Sequence, residues 1–97
     1  MKLKNTVAVS AGGTKGIGLG IALECAREGA RVVVGGTNPK NGEAAESELA
    51  AAGGDGMLVK CDVSSLDDLD NIITKAVERY GRVDIYVANA GINDSAK

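Results

Sequence analysis

The sequence predicts an α/β chain, a doubly wound parallel sheet of four strands with three helices, forming one domain over residues 1–97. Three observations carry this prediction. Four short stretches rich in β-branched or large aliphatic residues recur along the chain, and three segments of helical composition separate them. Within each stretch the apolar residues are consecutive rather than alternating, the pattern of strands covered by helices on both faces. Right-handed crossovers turn such a β-α-β-α-β-α-β order into a doubly wound sheet.

The first strand is Thr6-Val7-Ala8-Val9, followed by a helix from about Gly16 to Glu28, rich in Ala and Leu and stopped by Gly29. Arg31-Val32-Val33-Val34 is the second strand. The second helix begins at Pro39 with Asn38 as its cap, runs through Glu43, Ala44, Ala45, Glu48 and Leu49, and ends at Gly53-Gly54. Its alanines predict that it rests shallowly on the sheet. Met57-Leu58-Val59 is the third strand. The third helix has Leu66, Leu69, Ile72, Ile73, Ala76, Val77 and Tyr80 at three-four spacing on one face, Ser64 or Ser65 as cap, Asp67 and Asp68 at the positive end of its dipole, and Gly81 as its stop. Asp84-Ile85-Tyr86-Val87-Ala88 is the fourth strand. No linker, repeat or low-complexity tract divides the chain.

Composition narrows the function. Thirteen acidic residues against 11 basic ones give a net charge of -2, and 44% hydrophobic with 25% charged residues excludes a disordered tail, a fibre or a polybasic nucleic-acid arm. With no Phe or Trp and only Tyr80 and Tyr86, base stacking has almost nothing to use, so nucleic acid is not expected as a partner. No apolar run approaches the roughly 18 to 20 residues that span a bilayer, and Lys2 to Ala11 is too short and interrupted for a signal peptide. No membrane partner and a cytoplasmic location are the expectation. His is absent and Cys25 and Cys61 stand far apart, so no metal site is expected; the two thiols read as small buried hydrophobes, with a reactive thiol as the alternative.

The turn after the first strand reads Ser10-Ala11-Gly12-Gly13-Thr14-Lys15-Gly16-Ile17-Gly18. Gly12 permits the sharp turn, Gly16 lets a diphosphate approach the main chain, and Gly18 allows the helix to pack close to the strand; the amides at the helix start then bind anions. A glycine-rich turn without a ligand is the alternative, set against a full β-α-β unit around the loop.

The pattern Gly12-x-x-x-Gly16-Ile17-Gly18, filled by Gly13-Thr14-Lys15, resembles the nucleotide loop of the short-chain dehydrogenase/reductase family. Gly29-Ala30-Arg31-Val32-Val33-Val34 resembles that family's second strand, Cys61-Asp62-Val63-Ser64 its third-strand exit, and Val87-Ala88-Asn89-Ala90-Gly91-Ile92 its turn after strand four. The resemblance runs over essentially the whole chain. It implies a Rossmann-like fold binding NAD(P), with Gly12, Thr14, Lys15, Gly16, Ile17 and Gly18 around the phosphates. It further implies that Asp62 and the main chain of Val63 contact the adenine, and that Asn89, Ala90 and Gly91 line the floor beside the ribose. A solvated helix-capping acid is the alternative for Asp62, and a turn residue bonding its own backbone for Asn89.

Two residues depart from the family pattern: Ala11 stands where a threonine is usual, and Ala88 replaces the first of two common asparagines. Losing both hydrogen-bonding partners together is nearly neutral, whereas losing one strands the other at about 1 to 3 kcal/mol.

Cofactor choice follows from charge. An NAD site needs a carboxylate about 20 residues after the loop to accept from the ribose hydroxyls. Gly35-Gly36-Thr37-Asn38 stands there with no acid. Lys15 can reach a 2′-phosphate, and Thr37, Asn38 and nearby amides can donate to it, so NADP is expected over NAD, with a solvated Lys15 as the alternative.

The family's acid-base tyrosine, with its lysine four residues on, its serine and its later asparagine, has no counterpart: Tyr80 is followed four residues later by Asp84 and Tyr86 by Ala90. No catalytic residue is assigned, and Tyr80 reads as core or helix-end packing. The chain resembles the front half of a family member, so the fourth strand is expected at an open edge, with Ile85 and Val87 partly wet. The expected function is the NADP(H)-binding portion of a short-chain oxidoreductase, the family reaction being hydride transfer between NADP(H) and a hydroxyl or carbonyl substrate. The alternative is a non-catalytic nucleotide-binding or interaction fragment, self-associating or completed by another chain through that edge.

Overall fold

A computed structural model describes residues 2–12, 16–53 and 55–88. The elements follow in the order β1 (Val7–Ala11), α1 (Gly16–Arg27), β2 (Arg31–Gly36), α2 (Pro39–Ala51), β3 (Asp55–Lys60), α3 (Leu66–Tyr80) and β4 (Ile85–Ala88). All pairings are parallel and the sheet order is β3-β2-β1-β4, so the winding reverses between β1 and β4. This is the doubly wound architecture expected from the consecutive apolar runs.

Three of the strands reach further towards their C-terminal ends than their apolar stretches do. β1 extends to Ala11, β2 through Gly35 and Gly36, and β3 to Lys60. Main-chain pairing continues there without help from β-branched side chains: Gly35 lies opposite Val59 and Gly36 opposite Lys60.

The two faces of the sheet bury separate cores. Ala8, Val32 and Val34 face α1 and α2, packing with Ala22, Cys25, Ala26, Ala45 and Leu49. Val9, Ala11, Val33, Val59 and Cys61 face α3, packing with Ile72 and Ala76. Each fully buried Val, Leu or Ile removes apolar area worth roughly 1.5 to 3 kcal/mol from water.

Small residues set the layer spacing. A Cβ on Gly35 would lie 2.7 Å from Ile72 Cδ1 and 2.8 Å from Cys61 Cβ, and one on Gly42 2.6 Å from Leu58 Cδ2. α2 therefore meets the sheet through Gly42, Ala45 and Leu49, a narrow contact as its composition predicts. Asn38 caps it, Oδ1 accepting the amides of Lys40 at 2.9 Å and Asn41 at 3.1 Å.

Of the two serines offered as cap for α3, Ser65 is the one, its hydroxyl accepting the Asp68 amide at 3.2 Å, and Gly81 closes the far end onto the Val77 carbonyl at 2.8 Å. The predicted apolar stripe is narrower than its spacing implied. Ile72 and Ala76 are buried with Leu69, Ile73 and Tyr80 packed beside them, while Leu66 is 79% and Val77 44% exposed. Leu66 opens the helix at its overhanging end, and Val77 follows Ala76 by 100° of helical rotation onto the flank.

Candidate functional site

β1, β2 and β3 deliver their last residues to one edge of the sheet. Ala11 lies opposite Gly35 of β2 and Ala88 of β4, and Gly36 lies opposite Lys60. The chain therefore leaves the sheet at Gly12, Thr37 and Asp62 on neighbouring strands, beside the reversal point where doubly wound sheets open a ligand crevice.

The glycine turn has a backbone that other residues resist. Gly12 has φ 78° and Gly16 φ 65°, in the left-handed region that costs an L side chain roughly 1 to 2 kcal/mol. A Cβ added at Gly16 would meet nothing within 4 Å among the described residues. Ile17 is exposed and Gly18 buried beneath it. Ser10 fastens this turn from below: its buried hydroxyl donates to the Gly18 carbonyl at 3.1 Å, tying the start of α1 to β1. The signal for this role in the sequence is a lone polar residue inside Val7-Ala8-Val9-Ser10-Ala11. Thr14 and Lys15 lie outside the described residues.

At the end of β2, Thr37 is exposed, and the capping bonds of Asn38 consume its side-chain oxygen while leaving its amide group to donate outward. A cleft of about 260 Å³ opens here, lined by Gly36, Thr37, Asn38, Pro39, Leu58 and Lys60. No carboxylate is among these residues.

Asp62 follows β3 and is exposed. Its Oδ1 accepts the Ser64 hydroxyl at 2.7 Å and the Ser64 amide at 2.9 Å, while its own amide donates to Asp68 Oδ2 at 2.9 Å. The Ser64 hydroxyl, then the Ser64 amide, hold the Asp62 carboxyl below its usual range, so it is an anion with Oδ2 unpartnered among the described residues. Asp62 thus shapes the turn before α3 and leaves the cap itself to Ser65. Val63 is half-buried against the α3-side core. Asn89, Ala90 and Gly91 lie outside the described residues; Ala88, which precedes them, ends β4.

The two departures from the family pattern, Ala11 and Ala88, turn out to be register partners across β1 and β4. Among the described residues no buried side-chain nitrogen or oxygen is left without a partner, so this paired loss strands nothing.

The tyrosines do not join the site. Tyr80 lies at the opposite edge of the sheet, its hydroxyl donating to Oδ1 of Asp55, the first residue of β3, at 3.4 Å, with the Arg31 and Arg79 guanidinium carbons 5.8 and 5.5 Å from its ring centre. Burial, then Asp55, raises its pKa. Burial likewise pushes up both thiols, which disfavours the reactive form of Cys25 and Cys61. No group of three or more His, Cys, Asp or Glu able to hold a metal occurs among the described residues, and none of the described helices is long and apolar enough to cross a membrane.

The chain is similar in sequence and fold to known proteins. Residues 6–97 match the family model described as short chain dehydrogenase. The chain is 42% identical over 86 residues to a 3beta-hydroxysteroid dehydrogenase of Mediterraneibacter gnavus, covering 89% of this chain and 31% of that protein. It is 41% identical over 96 residues to an L-rhamnose 1-dehydrogenase (NAD(P)(+)) of Azotobacter vinelandii, covering 95% of this chain and 38% of the relative. Among solved structures, a short-chain dehydrogenase/reductase double mutant from Serratia marcescens superposes with a TM-score of 0.88 at 34% identity, over 95% of this chain and 38% of that one. An actinorhodin polyketide ketoreductase variant with NADPH superposes with a TM-score of 0.82 at 39% identity, over 90% of this chain and 33% of that one. The chain thus spans about a third of the length of the proteins it matches.

Proposed function

This chain belongs to the short-chain dehydrogenase family, and on that footing we propose that its residues hold NADP(H) for an oxidoreductase acting on a hydroxyl or carbonyl group. When bound, the dinucleotide supplies or accepts the hydride. The chain's part is to bind and orient it. Gly12 and Gly16, both at positive φ, suit a tight turn into α1, whose first amides and dipole favour a diphosphate. Ile17 and Gly18 complete that first turn, with Thr14 and Lys15 bordering it in sequence. The ionised Asp62 keeps Oδ2 available to accept from the adenine amino group, with the Val63 main chain beside it. Asn89, Ala90 and Gly91, following β4, take the ribose side.

The observation that carries the 2′-phosphorylated cofactor is the cleft beyond β2. A diol-binding site needs a carboxylate there, and the lining offers Thr37, the Asn38 amide group and a lysine instead. The Azotobacter vinelandii relative is an NAD(P)(+) dehydrogenase by name, and the ketoreductase structure is one with NADPH. Calorimetric titration with NADPH and NADH tests the reading: NADPH is expected to bind at least about tenfold more tightly, the size of one charge-assisted hydrogen bond. Equal affinities overturn the choice of cofactor, and no binding of either by a folded sample overturns the site.

A second proposal concerns the sheet edge. Among the described residues β4 pairs on one side only, with β1, and presents Tyr86 at 45% exposure. We propose that a further strand, from this protein or a second copy, pairs along it. Sedimentation of the 97-residue chain as a monodisperse monomer with an ordinary cooperative melt refutes that pairing as a requirement.

A further inference from the structure

We infer that Lys60, the last residue of β3, supplies the positive charge that receives the adenosine 2′-phosphate; the inference rests on the NADP(H) reading above and assigns that recognition to β3 rather than to the glycine loop. Lys60 lies opposite Gly36, the last residue of β2, so it stands across one ladder position from the point where the chain turns out through Thr37. Side chains alternate along a strand, and the buried Val59 and Cys61 on either side face α3. Lys60 therefore shares the other face with Leu58, beneath the turn leading into α2, and both line the cleft beyond β2. Gly36 has no side chain to stand between the lysine stem and Thr37.

The cleft has the make-up of a phosphate pocket with an apolar wall. Leu58 and Pro39 form the wall, Thr37 offers a hydroxyl, and Asn38, with its oxygen committed to the Lys40 and Asn41 amides, offers only donors. Those two amides are already bonded, so the end of α2 is not the anion receptor by itself. Lys60 is exposed and makes no ion pair among the described residues. An ammonium on a flexible stem meets a phosphate as a point charge, which suits a pocket whose other donors fix the geometry.

The test is calorimetric titration of the full chain and its Lys60→Gln and Lys60→Arg variants with NADPH, NADH, 2′,5′-ADP and 5′-AMP. Lys60→Gln is expected to weaken NADPH and 2′,5′-ADP by about tenfold or more while NADH and 5′-AMP change less than about twofold. Lys60→Arg is expected to keep most of the preference. A wild type that prefers NADPH while Lys60→Gln binds it equally well, with Lys15→Gln removing all the discrimination, overturns this inference alone. An equal loss for all four ligands in Lys60→Gln overturns it too, by showing a structural effect. A wild type that fails to prefer NADPH overturns both the cofactor reading and the inference.

Discussion

Val7 and Asp84 hold each other by two hydrogen bonds: the Asp84 amide donates to the Val7 carbonyl at 2.8 Å, and the Val7 amide donates to Asp84 Oδ2 at 2.9 Å. The pair sets β4 beside β1 in the register that brings Ala11 opposite Ala88. Arg82 grips the same carboxylate, Nη2 at 2.8 Å and Nε at 3.0 Å, and with the Val7 amide holds it below its usual range. A carboxyl depressed on folding stabilises the fold fully above its unfolded pKa, and that contribution is lost as pH falls through the folded one. The urea midpoint of the wild type should therefore drop as pH is lowered through the carboxylate range, and the drop should be shallower in Asp84→Asn. Parallel pH curves for the two proteins would show that the pair does not report on folding.

Gly35 and Gly42 both keep a helix close to the sheet, but with opposite consequences. The Cβ of Gly35→Ala meets Cys61 Cβ, which moves only with its backbone, and destabilisation of about 1 to 3 kcal/mol is expected. In Gly42→Ala the obstacle is the flexible end of Leu58, and the helix gains about 0.8 to 1 kcal/mol from alanine, so the net change should lie near zero. Urea unfolding of both variants measures the contrast, and equal losses would contradict it.

Much of this arrangement could be read before the fold was seen. The cap of α2 at Asn38 and the stop of α3 at Gly81 follow from local chemistry that the sequence states outright. What the sequence hid was decided by three-dimensional company. Val77 and Leu66 satisfy the helical spacing yet are exposed, because Leu66 is the first residue of α3 and Val77 lies on its flank. Ser10 looked incidental until α1 placed the Gly18 carbonyl above it, and Lys60 acquired its neighbours only through the β2 and β3 register. The bonds of Asp62 to Ser64 give it a part in shaping the turn before α3, while the cap belongs to Ser65.

Gly16→Val places a β-branched residue at φ 65°, a cost of roughly 1 to 2 kcal/mol before any ligand is present. Because the diphosphate is common to both nucleotides, NADPH and NADH should weaken together by about tenfold or more. Calorimetry distinguishes this uniform loss from the selective one expected at Lys60, and unchanged affinity for both would remove Gly16 from the site.

Ser64 and Ser65 are adjacent yet separable. Ser65→Ala removes the cap of α3 and should cost about 1 kcal/mol in urea unfolding. Ser64→Ala leaves the cap in place but removes the strongest restraint on the Asp62 carboxyl, whose pKa should rise towards that of an ordinary aspartate in an NMR titration. A static Asp62 resonance in that variant would show that the serine hydroxyl does not polarise it.

Where Ala11 meets Ala88, two methyl groups face each other and only the main-chain ladder bridges the seam. Strand four can consequently breathe at its Ala88 end without tearing a side-chain link, while its other end stays tied by the Val7 amide to Asp84 Oδ2 and the start of α1 stays moored to β1 by Ser10. Deuterium should therefore enter the amides at the Ala88 end of β4 sooner than those of β2, which is paired on both sides.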